Sequence, residues 1–320
     1  MNKIAVIGAG IIGSSWAIVF ARKGLQVRLY DHSPSRRFQV PQDLRQMLQS
    51  SLTLIGDGET AASVADRITV CDTLAEAVET ADLIQEAVSE RLDLKTHVFE
   101  QIEAHCSDEA IISSSSSTYG VSRFASHLRS RHRCLVLHPM TPPHIMPIVE
   151  VIAAPFTSEA VVLDAERLMR SMGQAPVRVL KENDSFVLNR LQGALLLEMF
   201  NVIAEGLVSV KDADTIISQG LGLRWAALGP LQGIDLNAPD GIRDYLERYG
   251  HIFNQMSRSR GGDPVVDASL CDQLDIALRQ QLPLEGLNAR RSWRDNAIST
   301  LRQTLATLPE EDVHESDCAD

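Results

Sequence analysis

Paired cysteines are missing from this 320-residue chain. Its five cysteines, Cys71, Cys106, Cys134, Cys271 and Cys318, are odd in number, widely scattered and never spaced as CxxC. That pattern argues against a disulfide framework and against a metal site. Long apolar runs are missing too: Ala194-Leu195-Leu196-Leu197 meets Glu198 at once, and nothing approaches the roughly 20 apolar residues that a membrane span needs. Positive charge is in deficit, with 30 basic against 42 acidic side chains and a net charge of −12. A nucleic-acid backbone is therefore not an expected partner. Half of that excess lies in Pro309–Asp320, which carries six acidic residues and neither Lys nor Arg; such an end reads as a solvated, disordered tail. Met1-Asn2-Lys3-Ile4 leads directly into an apolar strand, without a basic leader, apolar helix and cleavage site, so a cytoplasmic protein is expected.

The remaining composition is that of a globular protein, 44% hydrophobic and 22% charged, and the length suits about two domains. Short β-rich runs alternate with helical stretches over the first 180 residues: Ile4–Ile7, Leu25–Tyr30, Ile68–Cys71, Asp82–Glu86, Ala110–Ser114, Leu135–His138, Val149–Ile152 and Val177–Leu180. Alternation of this kind predicts a doubly wound α/β domain, a mostly parallel sheet covered on both faces. Beyond Lys181 long amphipathic helices take over, from Phe186–Val210 to Asn288–Leu308. The expected organisation is a Rossmann-type domain over 1–182, an all-α domain over 183–308 and the acidic tail 309–320. No internal repeat is visible, and Ser113–Ser117 is too short to be low complexity.

Gly8-Ala9-Gly10-Ile11-Ile12-Gly13 follows the first strand and opens a helix expected over Ser14–Lys23, which stops at Gly24. In this setting Gly8 permits a tight turn, Gly10 lets the backbone approach a pyrophosphate, and Gly13 allows close helix–strand packing. The free N–H groups of the helix start, at Ile11, Ile12 and Gly13, face the anion. Asp31 closes the second strand 18 residues after Gly13, where a carboxylate accepts hydrogen bonds from an adenosine ribose and repels a 2′-phosphate. NAD is the expected cofactor, with Arg36 and Arg37 nearby as the features that speak for NADP.

A dinucleotide fold says what is bound, not what is done. Alcohol oxidation needs a base beyond the C-terminal end of a strand, and His138 stands there, ahead of Pro139-Met140-Thr141-Pro142-Pro143-His144. Glu150 follows 12 residues later inside the apolar run Pro147–Ile152. A buried glutamate wants a partner, and an imidazole whose tautomer it fixes is a plausible one. Sequence order alone cannot join them. Taken singly, His138 also reads as a satisfied core histidine, Glu150 as a half-exposed strand residue, Ser117 as a helix cap and Asn189 as a helix-surface residue.

These elements, Gly8–Gly13, the serine run, His138-Pro139 followed by Ile148-Val149-Glu150, and Phe186-Val187-Leu188-Asn189-Arg190, occur in the order and spacing of the L-3-hydroxyacyl-CoA dehydrogenase superfamily, which the chain resembles over nearly its whole length. The resemblance implies that His138 is the base, Glu150 its carboxylate partner, and Ser117 and Asn189 the groups that position the substrate oxygen or the nicotinamide. It also puts Glu90 and Lys95 near the nicotinamide ribose and implies a homodimer formed through the helical domain. Two departures stand out. Thr141 replaces the usual Asn, and one hydroxyl cannot supply an amide's separate donor and acceptor. Asp184-Ser185 replaces the usual Pro-Gly, and serine tolerates a positive φ poorly, so a differently built turn is expected.

Within the superfamily, Gly220-Leu221-Gly222-Leu223-Arg224-Trp225, Gly229-Pro230-Leu231, Leu236-Asn237-Ala238 and Ala289–Asp295 are similar to the lambda-crystallin, L-gulonate 3-dehydrogenase group. L-carnitine dehydrogenase shares the Leu-Arg-Trp element. A free hydroxy acid lacks a CoA handle, so its carboxylate must be gripped, and the guanidinium of Arg224 is the candidate clamp. A helix-end ion pair is the alternative role for that arginine. CoA phosphates would need cations after the second strand, yet Gly24 to Leu94 contains no lysine, and Arg36, Arg37 and Arg45 are the main positive charges there. The expected activity is NAD-dependent oxidation of the 3-hydroxyl of a small, L-gulonate-like free acid. The alternatives are a hydroxyacyl-CoA or carnitine dehydrogenase, and a crystallin-like nucleotide-binding protein without turnover. Trp225, Trp293 and Tyr245 read as core or interface anchors.

Overall fold

The computed structural model describes residues 1–227 except Asp57, and a scatter of residues between 229 and 307. Tyr245, Trp293, Leu236-Asn237-Ala238 and the acidic tail lie outside the described residues, as does most of Asn288–Leu308. The chain packs as two units, Met1–Arg190 with Ser292–Asp320, and Leu191–Arg291. No described helix is long and apolar enough to cross a membrane.

All eight expected strands form: β1 (Lys3–Ile7), β2 (Gln26–Tyr30), β3 (Ile68–Val70), β4 (Leu83–Glu86), β5 (Ile111–Ser114), β6 (Cys134–Pro139), β7 (Ile148–Ala153) and β8 (Ala175–Val179). They build one sheet in the order β3-β2-β1-β4-β5-β6-β7-β8. Every neighbouring pair is parallel except β6 and β7, which run antiparallel. Because strand side chains alternate between faces, Ile4 and Val6 join one apolar cluster and Ala5 and Ile7 the other. The first cluster takes in α1 (Ile11–Ala21), α2 (Pro34–Gln49) and α7 (Glu159–Ser171). The opposite face is covered by α4 (Leu74–Val78), α5 (Leu92–His105) and α6 (Ser122–Ala125), and the short α3 (Ala61–Ala65) packs against α2 and α1. With both faces covered, the strands read as near-continuous apolar runs.

Local chemistry explains the helix starts. Pro34 sits in the first turn of α2 and Ser33 accepts a hydrogen bond from the Arg36 N–H, a proline-plus-serine start. Helix α1 begins at Ile11, three residues ahead of the expected Ser14, because Gly10 itself is the N-cap. Gly13 therefore lies in the first turn of the helix. The long helix expected over Phe186–Val210 is two helices, α8 (Leu188–Ala204) and α9 (Val210–Ile216). Gly206, at φ 72, ends the first, as glycine past a helix terminus does, and Ser209 caps the second. A π-type turn, Ile217–Leu221, leads from α9 into α10 (Gly222–Ala227).

Phe99 on α5 is fully buried and meets Phe124 of α6 edge-on, with ring centroids 4.9 Å apart. Phe99→Ala should lower unfolding free energy by about 3–5 kcal/mol, the range for truncating a buried aromatic. Urea unfolding followed by circular dichroism measures it, and a loss below about 1 kcal/mol would show that this face does not pack as described.

Candidate active site

The glycine loop joins β1 to α1, and each glycine meets a different constraint. Gly8 has φ 103, and a Cβ there would sit 2.6 Å from the Ala87 carbonyl oxygen. A Cβ on Gly13 would fall 1.8 Å from the Gly8 oxygen, inside the loop itself. At Gly10 nothing lies within 4 Å. Two glycines thus close the turn against its neighbours while the third leaves its outer side open. No side chain caps α1 and its first turn holds no acidic residue, so the N–H groups of Ile11, Ile12 and Gly13 remain available to an anion. Next to the loop lies a cleft of about 480 Å³ lined by Gly8, Gly10, Tyr30, Asp31, Val88 and Leu94, among others. This loop and cleft fit a dinucleotide.

Asp31 is anchored at the mouth of that cleft. Its Oδ2 accepts the Ala9 N–H at 2.8 Å and its Oδ1 the Ser33 N–H at 2.9 Å. The carboxylate is therefore held to the loop with lone pairs left for a ribose hydroxyl.

His138 and Glu150 stand directly opposite one another in the antiparallel β6–β7 ladder, so both project from the same face. His138 Nδ1 lies 2.8 Å from Glu150 Oε2, with the residues 4% and 2% exposed. The other carboxylate oxygen, Oε1, accepts the N–H groups of Val187 and Leu188, each at 2.8 Å. Burial pushes the Glu150 carboxyl up, but the His138 hydrogen bond and the two backbone donors outweigh it and hold the group below its ordinary value of 4.5. An ionised carboxylate only accepts, so Nδ1 carries a ring proton, which in the neutral ring leaves the lone pair on Nε2. Among the described residues nothing is hydrogen-bonded to Nε2. Phe186, fully buried, packs its ring 5.4 Å from the imidazole.

The two N–H donors come from the turn that starts α8. Ser185 has φ 63 and Phe186 φ 49, so the expectation of a differently built turn is not met: the backbone is left-handed at two consecutive non-glycine residues. Tertiary contacts override the local preference. The Ser185 N–H donates to the Thr118 carbonyl at 3.1 Å, Phe186 is locked in the core, and Glu150 holds the next two N–H groups.

A second network gathers at the ends of β4 and β5. Lys95, 1% exposed on α5, donates to both oxygens of the fully buried Glu86, at 2.9 and 3.1 Å, and lies 3.4 Å from Glu90. Glu90 Oε1 accepts from Ser116 Oγ at 2.5 Å and from the N–H groups of Ser117 and Thr118 at 3.2 and 3.0 Å. The Lys95 ammonium is thus spent inside the protein.

The serines of the run divide their tasks. Ser113 bonds Gln85, Ser114 bonds Glu86, and Ser115 receives Trp16 Nε1 and Gln85 Nε2. Ser117 is exposed, and its hydroxyl has no hydrogen bond among the described residues. Its carbonyl accepts Asn189 Nδ2 at 2.7 Å. Within one unit the fold therefore brings together His138 with Glu150, and Glu90 and Lys95 with Ser117 and Asn189. Thr141 is exposed. Arg224 belongs to the second unit and is exposed on α10.

Sequence reasoning gave no role to Glu86, Ser114, Phe186 or the N–H groups at 187 and 188. A charged residue at the end of an apolar strand is the one signal that marked Glu86. Nothing in the residue pattern marked the backbone donors.

Comparison with known proteins identifies the family. Residues 3–183 match the family model 3-hydroxyacyl-CoA dehydrogenase, NAD binding domain, and residues 186–272 match 3-hydroxyacyl-CoA dehydrogenase, C-terminal domain. Lambda-crystallin of Oryctolagus cuniculus is 39% identical over 305 residues, covering 94% of this chain and 95% of the relative. L-carnitine dehydrogenase of Streptomyces coelicolor is 32% identical over 317 residues, 98% of each. Among solved structures, 5-formyl-3-hydroxy-2-methylpyridine 4-carboxylic acid 5-dehydrogenase, an NAD+ dependent dismutase, aligns with a TM-score of 0.82 at 26% identity, over 97% of this chain and all of the other.

Two expectations test the site's construction. Ser185→Gly should raise stability by about 1 kcal/mol, since glycine adopts the left-handed region without the Cβ penalty; a destabilised variant in chemical denaturation would contradict the strained turn. The second concerns acid. The Glu150 carboxyl is depressed in the folded state, as is Glu166, where the Arg178 hydrogen bond is the leading cause. The stability each contributes is present above the unfolded value and is lost as pH falls through the folded one. Melting temperature should therefore fall as pH drops below the ordinary carboxylate range, about 4.3. The fall should be shallower in Glu150→Gln, and identical slopes in thermal melts would show that Glu150 is not held ionised.

Proposed function

The chain belongs to the 3-hydroxyacyl-CoA dehydrogenase family, and from that premise we propose that it oxidises the 3-hydroxyl of a small free hydroxy acid, of the L-gulonate kind, with His138 as general base. The observation that carries the reading is the 2.8 Å contact between His138 Nδ1 and a Glu150 whose other oxygen is fully engaged. Such a carboxylate can neither rotate away nor take up a proton easily.

NAD, when bound, supplies the hydride acceptor. His138 Nε2 takes the hydroxyl proton, and Glu150 stabilises the imidazolium that results while keeping the ring in one tautomer. The free hydroxyl of Ser117 is offered to the substrate oxygen. Asn189, with one N–H on the Ser117 carbonyl, keeps an oxygen and a second N–H for the same end of the site. Glu90 would help hold the nicotinamide ribose. Lys95 works one step back, through Glu86 and Glu90, because its own ammonium is buried.

Three observations support a free acid over a CoA thioester. Arg36 is paired with Asp43, and Arg37 donates to the Asp31 carbonyl and lies 3.7 Å from Asp72, so the arginines that begin α2 are already engaged; Arg45 is the exposed cation left on that helix. L-carnitine dehydrogenase, by its name, acts on a free hydroxy acid and is similar over almost the whole chain. Arg224 is exposed and can offer a carboxylate a bidentate grip. A homodimer formed through the helical unit is part of the same reading, supported by the exposed Leu191, Leu197, Leu207 and Ile216 of that unit. A cytoplasmic setting belongs to the same reading, in keeping with scattered cysteines none of which is spaced as CxxC.

The test is a panel of gulonate, 3-hydroxybutyrate, carnitine and a 3-hydroxyacyl-CoA with NAD, followed by nicotinamide reduction. A free acid should give the highest kcat/KM. His138→Gln should lower kcat on it by about 10²–10⁴-fold, and Arg224→Ala should raise KM for the acid about tenfold or more. Preference for the thioester would overturn the substrate, and unchanged affinity for every free acid in Arg224→Ala would remove the clamp.

A further inference from the structure

Two arginines that NAD does not need stand beside Asp31 and the glycine loop. Arg36 Nε donates to the Ala9 carbonyl at 2.6 Å, while the N–H of the same Ala9 donates to Asp31 at 2.8 Å. The guanidinium thus stands within one loop residue of the carboxylate at the ribose position. A cation so placed is the group that would meet a 2′-phosphate. Its charge is already matched: Arg36 Nη1 forms an ion pair with Asp43, two turns along the same face of α2, both side chains about 30% exposed. Asp43 is braced in turn by Gln39 Nε2 at 3.2 Å. Arg37 is occupied differently. It donates to the Asp31 carbonyl at 2.8 Å, lies 3.7 Å from Asp72 and stacks over the Tyr30 ring.

We infer that Asp43 is a specificity-determining residue of this dehydrogenase, holding Arg36 in an internal ion pair that withholds it from the 2′-phosphate of NADP. The discrimination then has two layers. Asp31 repels the phosphate, and Asp43 denies it the cation that could compensate. Exchanging Asp31 alone removes the repulsion but leaves Arg36 neutralised, which predicts that the single substitution opens the cleft to NADP only weakly. Releasing the guanidinium as well supplies a charge-assisted, bidentate partner. The inference concerns cofactor choice alone and does not depend on which hydroxy acid is oxidised.

The experiment is isothermal titration of NADPH and NADH, without substrate, into the full chain carrying Asp31→Ser, Asp31→Ser with Asp43→Asn, and that pair with Arg36→Met. Circular dichroism melts verify that each is folded. Asp43→Asn should tighten NADPH binding about tenfold or more over Asp31→Ser alone, as expected for a newly available guanidinium–phosphate contact, and leave NADH binding unchanged between the two. Arg36→Met should abolish the gain. An equal NADPH affinity with and without Asp43→Asn would overturn the inference, and so would a gain that survives Arg36→Met, which would assign the phosphate to Arg37 instead.

Discussion

A carboxylate buried in an apolar sheet must be compensated, and the compensation of Glu150 organises the candidate active site. An isolated buried charge shifts its pKa and neutralises. Glu150 instead stays below its ordinary value because an imidazole and two backbone N–H groups surround it. Meeting those demands fixes three parts of the chain at once: the antiparallel register that sets His138 opposite Glu150, the left-handed turn at Ser185 and Phe186, and the start of α8. None of the three is favoured by local sequence alone.

The same logic governs the ends of β4 and β5. Glu86 is buried and needs a cation, which α5 supplies as Lys95. The ammonium then reaches Glu90, which gathers the Ser116–Thr118 turn. That turn meets the first network directly, since Thr118 accepts from Ser185 and Ser117 from Asn189. The Glu86–Lys95–Glu90 network and the His138–Glu150 network are therefore joined by hydrogen bonds through a single short turn. The exposed hydroxyl of Ser117 sits on it.

Much of this was legible in the residues. Eight apolar runs became eight strands, and the glycine loop with its following acid appeared where strand–loop–helix order put it, because these features depend on near-neighbour chemistry. What escaped was long-range. The antiparallel β6–β7 pair is what makes His138 and Glu150 neighbours, and sequence order carries no record of pairing direction. Lys95 reads, through the resemblance, as a residue near the nicotinamide ribose, and only the fold shows it buried against Glu86. Gly206 was passed over inside an apparently continuous helix, and Ser185 was expected to avoid a conformation that three tertiary contacts impose on it.

Buried ion pairs contribute little net stability, because desolvation offsets most of the attraction, and apolar replacements often pack as well. Two buried carboxylates, Glu150 hydrogen-bonded to His138 and Glu86 paired with Lys95, are therefore poorly explained as supports of the fold. Each occupies the C-terminal end of the sheet, where ligands of open α/β folds bind. Each also fixes the direction of a group that an apolar contact would leave free to turn: one ring tautomer in the first case, one carboxylate and its attached turn in the second. The core clusters at the other levels of the same strands need no charge to pack. Direction, then, is what the buried charges add here, and direction is what the proposed proton transfer to His138 requires.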